Sequence, residues 1–147
     1  MDENERNMSR VRTFYLLKRA EKLVNEVMEQ QLQQFQLTPG EFLIMSLVSR
    51  SPLSSAQVAR RLVSSPQAAR AFIKSLENKQ FIERYTDDDN KRILRIQLSE
   101  EGRRVWEVCN RVVDRLEEDY FAVLEPEELA ALRHALAKLG QKPDRPE

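Results

Sequence analysis

The chain has few of the residues from which catalytic and cofactor sites are built. Its 147 residues include one cysteine, one histidine and three glycines. The single Cys109 excludes an internal disulfide framework, which suits a reducing compartment, and three scattered glycines exclude a glycine-rich phosphate loop. His134 lies far from Cys109 in sequence, so no metal cluster or nucleophile–base pair is recognisable. We therefore expect a protein that is not an enzyme and that needs no cofactor or metal.

Long hydrophobic runs are absent as well. No apolar segment approaches the ~20 residues that cross a bilayer, and the polar start Met1–Glu5 has no signal-peptide core. A chain with 41% hydrophobic and 33% charged residues is typical of a compact, mostly helical domain, alone or with an appendage. We expect a cytoplasmic protein with no membrane association.

The charge is unevenly distributed, although its sum is zero. Residues 50–98 carry ten Lys and Arg against five Asp and Glu, and the rest of the chain carries fourteen against nineteen. A neutral protein whose positive charge is concentrated in one segment has the electrostatic pattern of a nucleic-acid reader. We interpret this segment as the part that meets double-stranded DNA.

The central lobe, residues 36–98, is predicted to begin with three short helices. Capping boxes at Thr38–Glu41 and Ser54–Gln57 open the first two helices. Either Ser65 before Pro66, or Ser64 together with Gln67, caps the third, which we expect to end near Lys79. Because only a tight turn at Val63–Ser64 separates the last two helices, the pattern indicates a helix-turn-helix.

A hairpin is predicted to follow. The apolar spacing changes to an alternation of two, which predicts strands over 82–86 and 93–98, joined by a turn rich in aspartate and asparagine. In the second strand, Leu94, Ile96 and Leu98 are expected to face inward. The lobe is thus predicted to be a winged helix-turn-helix, in a fold that is mainly α with a small β-wing.

The two ends of the chain are predicted to be long amphipathic helices. Burying one Val, Leu or Phe side chain contributes roughly 1.5–3 kcal/mol, and the lobe is too small to cover the stripes over 9–35 and 99–140. We therefore expect these two ranges to form the dimerisation region of an obligate homodimer. A monomer whose end helices fold back on the lobe is the alternative. Residues 141–147 are expected to form a disordered tail. The residues expected to carry the dimer contact are Val11, Phe14, Leu116, Tyr120, Leu129, Leu132 and Leu136.

Four local motifs occur in a characteristic order. They are Leu37–Phe42, Ala69-Arg70 with Leu76–Lys79 and Ile82–Arg84, Asn90–Arg92, and Leu98–Gly102. Over about residues 9–140 the chain resembles the MarR family of bacterial transcriptional regulators. Two positions depart from the family pattern. Gln80 stands where a glycine usually ends the recognition helix, so a different helix ending is expected. Asn90 stands where an aspartate usually braces the arginine two residues later.

Specific side chains are candidates for DNA contact. Gln67, Arg70 and Lys74 share one face of the recognition helix, and Arg and Gln pair well with guanine and adenine in the major groove. The resemblance implies that Lys91 and Arg92 of the wing contact the minor groove or its flanking backbone. Candidate phosphate contacts are Ser55, Arg60, Arg61, Ser64 and Ser65, for which helix capping or a favourable helix-end charge is the simpler role.

The predicted function is that of a homodimeric, sequence-specific DNA-binding regulator, a repressor, on an inverted repeat with half-sites about 10–10.5 bp apart. The resemblance implies a small aromatic or phenolic ligand as a candidate partner. Two alternatives remain open: a winged-helix protein-interaction module, and a redox-responsive regulator that uses Cys109, although a buried, inert thiol is the simpler interpretation. The acidic run Asp87–Asp89 is expected to fold toward Lys91, Arg92 or Arg84, or to stay off the DNA.

Overall fold

The chain is mainly helical, with a small sheet near its middle. A computed structural model describes residues 2–62 and 64–141, so Val63 of the predicted turn and residues 142–147 of the predicted tail lie outside the described residues. The predicted fold class, mainly α with a small β-wing, is confirmed. The elements in chain order are α1 (Glu3–Met8), α2 (Thr13–Leu32), a 3-10 turn (Gln33–Phe35), α3 (Pro39–Arg50), β1 (Leu53–Ser54), α4 (Ser55–Leu62), α5 (Pro66–Asn78), β2 (Ile82–Thr86), β3 (Leu94–Leu98), α6 (Glu100–Phe121) and α7 (Pro126–Leu139).

The helix predicted over 9–35 is present as α2 and the 3-10 turn, but it begins at Thr13 rather than near Ser9. A further short helix, α1, precedes the predicted range and begins at a capping box in which the side chains of Asp2 and Glu5 each accept the other's backbone N–H. Ser9 caps the end of α1, and a turn separates it from α2. Apolar periodicity did not reveal α1 because none of its six residues is buried.

Three helices of the central lobe begin where the sequence predicted. Thr38 Oγ1 accepts the backbone N–H of Glu41 at 3.2 Å, and the carboxylate of Glu41 accepts the N–H of Thr38 at 3.2 Å. Ser54 and Gln57 form the same reciprocal pair at the start of α4. Ser65 Oγ accepts a backbone N–H in the first turn of α5. Local capping chemistry therefore sets these boundaries.

The hairpin belongs to a three-stranded antiparallel sheet in the order β1-β3-β2, whereas the sequence predicted two strands. Strands β2 and β3 pair from Ile82 opposite Leu98 onward. The additional strand, β1, is two residues long and places Leu53 opposite Ile96. It was missed because two residues are too few to show an alternating pattern.

The inner face of β3 is shorter than predicted. Ile96 and Leu98 are buried as expected, but Leu94 is 48% exposed. Leu94 lies at the wing-tip end of the strand opposite Thr86, which is also exposed. The inward placement of Leu94 was wrong because alternation gives the face of a strand but not how far along that face the core extends.

The core of the lobe is formed by α3, α4, α5 and the sheet. Burial of its large apolar side chains is the main favourable contribution to folding, at roughly 1.5–3 kcal/mol for each. Because α5 is anchored by its own buried side chains, its opposite face is left in solvent. The largest fully buried side chains of the lobe are Ile44, Met45, Val58, Ile73, Leu76 and Ile96.

Helix α5 ends at a left-handed residue that is not glycine. Gln80 has a φ of 63°, and the backbone N–H of Phe81 reaches the carbonyl of Leu76 at 3.0 Å. The hydroxyl of Ser99 donates to the carbonyl of Gln80 at 2.6 Å. The expectation of a different helix ending was wrong, because these bonds hold Gln80 in a conformation that costs a non-glycine residue about 1–2 kcal/mol.

The start of α6 packs closely against the same turn. The N–H of Ser99 donates to the carbonyl of Phe81 at 3.0 Å, and Ser99 Oγ accepts the N–H of Gly102 at 2.9 Å. A Cβ at Gly102 would overlap with the carbonyl oxygen of Phe81. Gly102 is therefore required by the close approach of two backbone segments.

The start of α3 packs against the end of α5 through a buried carboxylate. Glu41 is 3% exposed, and its Oε2 accepts bonds from Lys79 Nζ at 2.8 Å and from the hydroxyl of Ser75 at 3.1 Å. Beside it, a Cβ at Gly40 would lie 2.6 Å from the ring of Phe72. A glycine and a buried ion pair thus hold the two helices together.

The chain divides after Arg111 into two compact units, and the second contains the end of α6 and all of α7. Helix α7 begins with Pro126 in its first turn and a capping box between Glu125 and Glu128. No residue of α7 is buried. Across the described ranges, no helix has both the length and the apolar character needed to span a membrane.

We expect Gly102→Ala to lower the free energy of unfolding by about 2 kcal/mol or more, because the new methyl group overlaps with the backbone of Phe81. Gly140→Ala is the matched control, since its Cβ would meet nothing closer than 3.4 Å, and should change stability by less than about 0.5 kcal/mol. Urea denaturation measures both. Equal stabilities for the two variants would contradict the close approach.

We expect Lys79→Met to cost about 2–3 kcal/mol of stability, because it leaves the carboxylate of Glu41 buried without its cation. Arg104→Met is the control, since Arg104 pairs with Glu101 on the surface, where both side chains are more than half exposed; its cost should stay below about 1 kcal/mol. Denaturant titration compares them. A similar small cost for both would show that the buried pair contributes nothing special.

Candidate nucleic-acid interface

The exposed face of α5 carries the predicted base-reading residues. The side chain of Ala69 on α5 is buried and faces the core of the lobe. Gln67, Arg70 and Lys74 are all exposed. Since they follow one another at spacings of three and four, they form one polar row along the helix. The structure therefore brings together the three residues that the sequence assigned to the major groove.

Of the three serines predicted as helix caps or phosphate contacts, only Ser65 has a capping role in the structure. Ser65 Oγ is occupied as the N-cap of α5, accepting the N–H of Ala68 at 3.1 Å. Ser64 is half-buried, and its Oγ lies 3.4 Å from the carbonyl of Ser65. Ser55, also half-buried, is the first residue of α4, whose cap is the preceding Ser54. Phosphate contact by these serines stays a prediction.

Arg60 and Arg61 occupy the last turn of α4 and are both exposed. This position suits either of the roles considered for them, since a cation interacts favourably with the C-terminal end of a helix and also attracts phosphate. They add two cations to the lobe that carries the recognition helix.

The wing turn presents Lys91 and Arg92 to solvent. Asp87 builds the turn, because its Oδ1 accepts the backbone N–H of Asp89 at 2.9 Å and of Asn90 at 3.1 Å. The side chain of Asn90 in turn accepts the N–H of Arg92 at 3.1 Å. Asn90 thus braces the backbone of Arg92 rather than its guanidinium group.

The acidic run at the wing was expected to fold toward Lys91, Arg92 or Arg84, or to stay off the DNA. The first arrangement is wrong for Asp87, which pairs with Arg95 at 2.8 Å; the second stays a prediction. Arg84 pairs with Glu77 of α5 instead. The partners were missed because they depend on the hairpin register and on packing against α5, neither of which can be predicted from neighbouring residues in the sequence.

Hydrogen bonds at the wing turn favour the charged form of Asp87. The hydrogen bond from Arg95, followed by those from the backbone of Asp89 and Asn90, lowers the pKa of Asp87 below its ordinary value of 3.8. A lowered pKa means that this stabilisation is present above the ordinary value and is lost as the pH falls through the folded-state pKa. Asp87 is charged in the neutral range with or without the shift, so the shift affects the turn only in acid.

Ion pairs divide the ten basic residues of 50–98 into two classes. Three are tied to acids: Lys79 to Glu41, Arg84 to Glu77 and Arg95 to Asp87. The others are all exposed, and none has an ion pair with another described residue. Six of these seven are the cations that the sequence assigned to DNA; Arg50, at the end of α3, was not assigned. The seven are Arg50, Arg60, Arg61, Arg70, Lys74, Lys91 and Arg92.

The predicted dimer residues remain at least partly exposed. Phe14 on α2 is 80% exposed, and Val11 just before it is 38% exposed. Leu136 on α7 is 44% exposed. The remaining four are half-buried, and their role stays a prediction: Leu116, Tyr120, Leu129 and Leu132.

Cys109 is fully buried on α6, and burial raises the pKa of its thiol to about 11. His134 lies exposed on α7. No cluster of three or more metal-binding side chains occurs within residues 2–62 and 64–141. A buried thiol with a raised pKa has little thiolate at neutral pH, which favours the inert role for Cys109.

We expect Cys109 in the folded chain to react with a disulfide reagent at pH 8 at least about a hundredfold more slowly than in denaturant. Because its pKa is raised, the thiolate fraction should grow about tenfold per pH unit until the pH approaches the pKa. Absorbance of the released thiol follows the reaction. Rapid, complete labelling of the folded protein at pH 8 would instead favour the redox-responsive regulator.

The chain has relatives among known regulators. A sequence model of the MarR family matches residues 37–94. Over 127 residues the chain is 29% identical to the HTH-type transcriptional repressor Rv2887 of Mycobacterium tuberculosis, covering 86% of this chain and 91% of the repressor.

Solved structures share the fold. The crystal structure of the Mycobacterium tuberculosis MarR family protein Rv2887 in complex with p-aminosalicylic acid has a TM-score of 0.71 and 27% identity, covering 89% of this chain and all of that one. The S. aureus MepR–DNA complex has a TM-score of 0.79 and 22% identity, covering 88% of this chain and 96% of that one. Over residues 37–94 the chain is thus similar to the MarR family, and its helix-turn-helix and wing share the fold of these MarR-family structures.

Proposed function

We propose that this protein is a homodimeric, sequence-specific double-stranded DNA-binding transcriptional repressor. The observation that carries the proposal is the division of the lobe's cations into paired and free ones. Six of the seven cations without an ion pair to another described residue occupy the outer face of α5, the last turn of α4 and the wing tip, where a winged helix-turn-helix is expected to meet DNA; the seventh, Arg50, ends α3. The three paired cations instead stabilise contacts within the lobe, through their ion pairs with Glu41, Glu77 and Asp87.

Sequence reading is assigned to α5. Arg70 and Gln67 have the donor and acceptor geometry that distinguishes guanine and adenine in the major groove, at about 1–3 kcal/mol for each well-formed pair. Lys74 extends the row toward the phosphates. Lys91 and Arg92 on the wing contribute affinity that depends little on sequence. The proposed interface thus separates base recognition from backbone attraction.

The second unit supports assembly with a second copy. A groove of about 500 Å³ between the end of α6 and α7 is lined by apolar side chains and by the charged residues Asp114, Glu117, Glu118 and Arg133. Its apolar lining is formed by Phe121, Leu129, Leu132 and Leu136. Three of these four are residues that the sequence assigned to the dimer contact.

Helix α2 offers a second surface with exposed aromatic side chains. It exposes Phe14 and Tyr15 beside the cations Lys18, Arg19 and Lys22 and the acids Glu21 and Glu26. We propose that 9–35 and 99–140 form the dimerisation region, in which burial of these apolar side chains joins the two copies. A two-fold dimer places two lobes on an inverted repeat with half-sites about one helical turn apart.

The relatives support this assignment. The mycobacterial relative is named as a transcriptional repressor, and a MepR structure contains DNA. The structure of Rv2887 contains p-aminosalicylic acid, which supports a small aromatic acid as a candidate effector of this chain. We propose no catalytic activity and a cytoplasmic location.

The experiment begins by selecting bound fragments from random duplex DNA. Arg70→Ala should reduce the preference for the selected sequence over random DNA by about 1–3 kcal/mol per contacted base pair.

Lys91→Ala should weaken binding to all sequences about equally and lower the slope of log affinity against log salt by about one per lost contact. Fluorescence anisotropy over a salt series measures both quantities.

Arg104→Ala is the matched control, since Arg104 is an exposed cation outside the proposed interface. It should leave affinity, preference and slope unchanged. Sedimentation should show a dimer for all variants. Undiminished sequence preference in Arg70→Ala would contradict its assigned role, and wild-type protein that does not bind duplex DNA would favour the protein-interaction module.

A further inference from the structure

We propose that Arg95 is a positioning residue for the wing: by bridging the wing turn and the start of α4, it holds Lys91 and Arg92 in place for DNA without contacting the DNA itself. The inference rests on the proposed function in that DNA is the target to which the wing is presented. Arg95 is the only one of the three paired cations whose bonds reach the wing turn.

The guanidinium group of Arg95 joins two separate elements. Arg95 lies on the central strand β3, where its neighbours across the sheet are Ser54 and Tyr85. Its Nε donates to Asp87 Oδ2 at 2.8 Å, and its Nη1 donates to Gln57 Oε1 at 2.9 Å. One planar side chain thus connects the wing with the first turn of α4.

The wing end of this bridge is the residue that shapes the turn. While Asp87 Oδ2 accepts from Arg95, Oδ1 accepts the backbone N–H groups of Asp89 and Asn90. The backbone of Asp87 also bonds the carbonyl of Ile93 at 3.0 Å, which closes the loop. Lys91 and Arg92 lie inside this closed loop, so the orientation of Asp87 determines where they are presented.

The other end of the bridge is part of a helix cap. Gln57 Oε1 accepts the backbone N–H of Ser54 at 3.0 Å as well as the bond from Arg95, and Gln57 N–H returns a bond to Ser54 Oγ. The bridge therefore ends on a part of the helix-turn-helix that is already fixed by its own bonds. Reaching both acceptors requires two N–H donors held in a fork of fixed geometry. Arginine has such a fork, and lysine does not.

A direct role of Arg95 on DNA fits the structure less well. The side chain of Arg95 is only 25% exposed, whereas Lys91 and Arg92 are both exposed residues. The charge of Arg95 is also already partly neutralised by the carboxylate of Asp87, which weakens its attraction for a phosphate. A partly exposed ion pair contributes little to global stability, so variants at Arg95 should fold.

The test is a double-mutant cycle on DNA affinity. Arg95→Met in the wild-type background should weaken binding as much as Lys91→Ala combined with Arg92→Ala, within about twofold. Added to that double variant, Arg95→Met should change affinity by less than about twofold. Arg95→Lys should fail to restore affinity. Asp87→Asn, which keeps an oxygen for the turn but loses the charge, should reproduce the loss.

Arg84→Met is the matched control, because it removes the other ion pair of the hairpin, to Glu77 on α5. It should leave DNA affinity within about twofold of wild type. An equal loss from Arg95→Met in both backgrounds would overturn the proposal by showing that Arg95 itself contacts DNA. An unchanged affinity of Arg95→Met in the wild-type background would also overturn it.

A second measurement needs no DNA. In limited trypsin digestion followed by mass spectrometry, cleavage after Lys91 and Arg92 should become about three- to tenfold faster in Arg95→Met, because the turn opens more often. Arg84→Met should not accelerate these cleavages. Wild-type protein that fails to bind DNA would overturn the proposed function, whereas unchanged cleavage in Arg95→Met would overturn the bridge.

Discussion

The contact on which the lobe depends lies between the start of α3 and the end of α5. The carboxylate of Glu41 completes the cap of its own helix through Thr38 and also bonds Ser75 and Lys79. The ammonium group of Lys79 donates further to the carbonyl of Gln36, which has a left-handed backbone. One buried acid thereby joins helix capping, an ion pair and the connection before α3, and it sets the direction of the recognition helix.

The same physical principle organises the rest of the lobe. Acidic side chains bind those cations that must hold elements together, as Glu77 binds Arg84 and Asp87 binds Arg95. A cation paired with an acid attracts a phosphate less, since the acid partly neutralises its charge. All but Arg50 of the cations of 50–98 without an ion pair to another described residue lie where DNA is expected to approach. The neutral total charge of the chain is therefore compatible with a strongly basic contact surface.

Helix starts were predicted well because their cause is local. The capping boxes at Thr38 and Ser54 and the cap at Ser65 involve residues three positions apart, and all three appear in the structure. The exposed row on α5 follows from helical spacing for the same reason. By contrast, the strand β1 and the exposed end of β3 were not predicted. Both depend on which segments pair and on how far the core extends along the sheet.

Gln80 shows how tertiary bonds override a local preference. Its left-handed backbone is unfavourable for glutamine taken alone, yet the carbonyl of Gln80 accepts a bond from Ser99, nineteen residues later. The close approach at Gly102 is part of the same arrangement. A rule based on neighbouring residues predicts a different helix ending here, because the stabilising partner comes from a distant segment.

By itself, the sequence determined the starts of the helices of the lobe, the concentration of cations in 50–98 and the row of Gln67, Arg70 and Lys74. These features arise from interactions within a few residues or from composition. Only the tertiary structure decided which cations are free and which are bound, because an ion pair between distant residues such as Lys79 and Glu41 exists only once the helices have packed. The candidate surface is what remains exposed after that pairing.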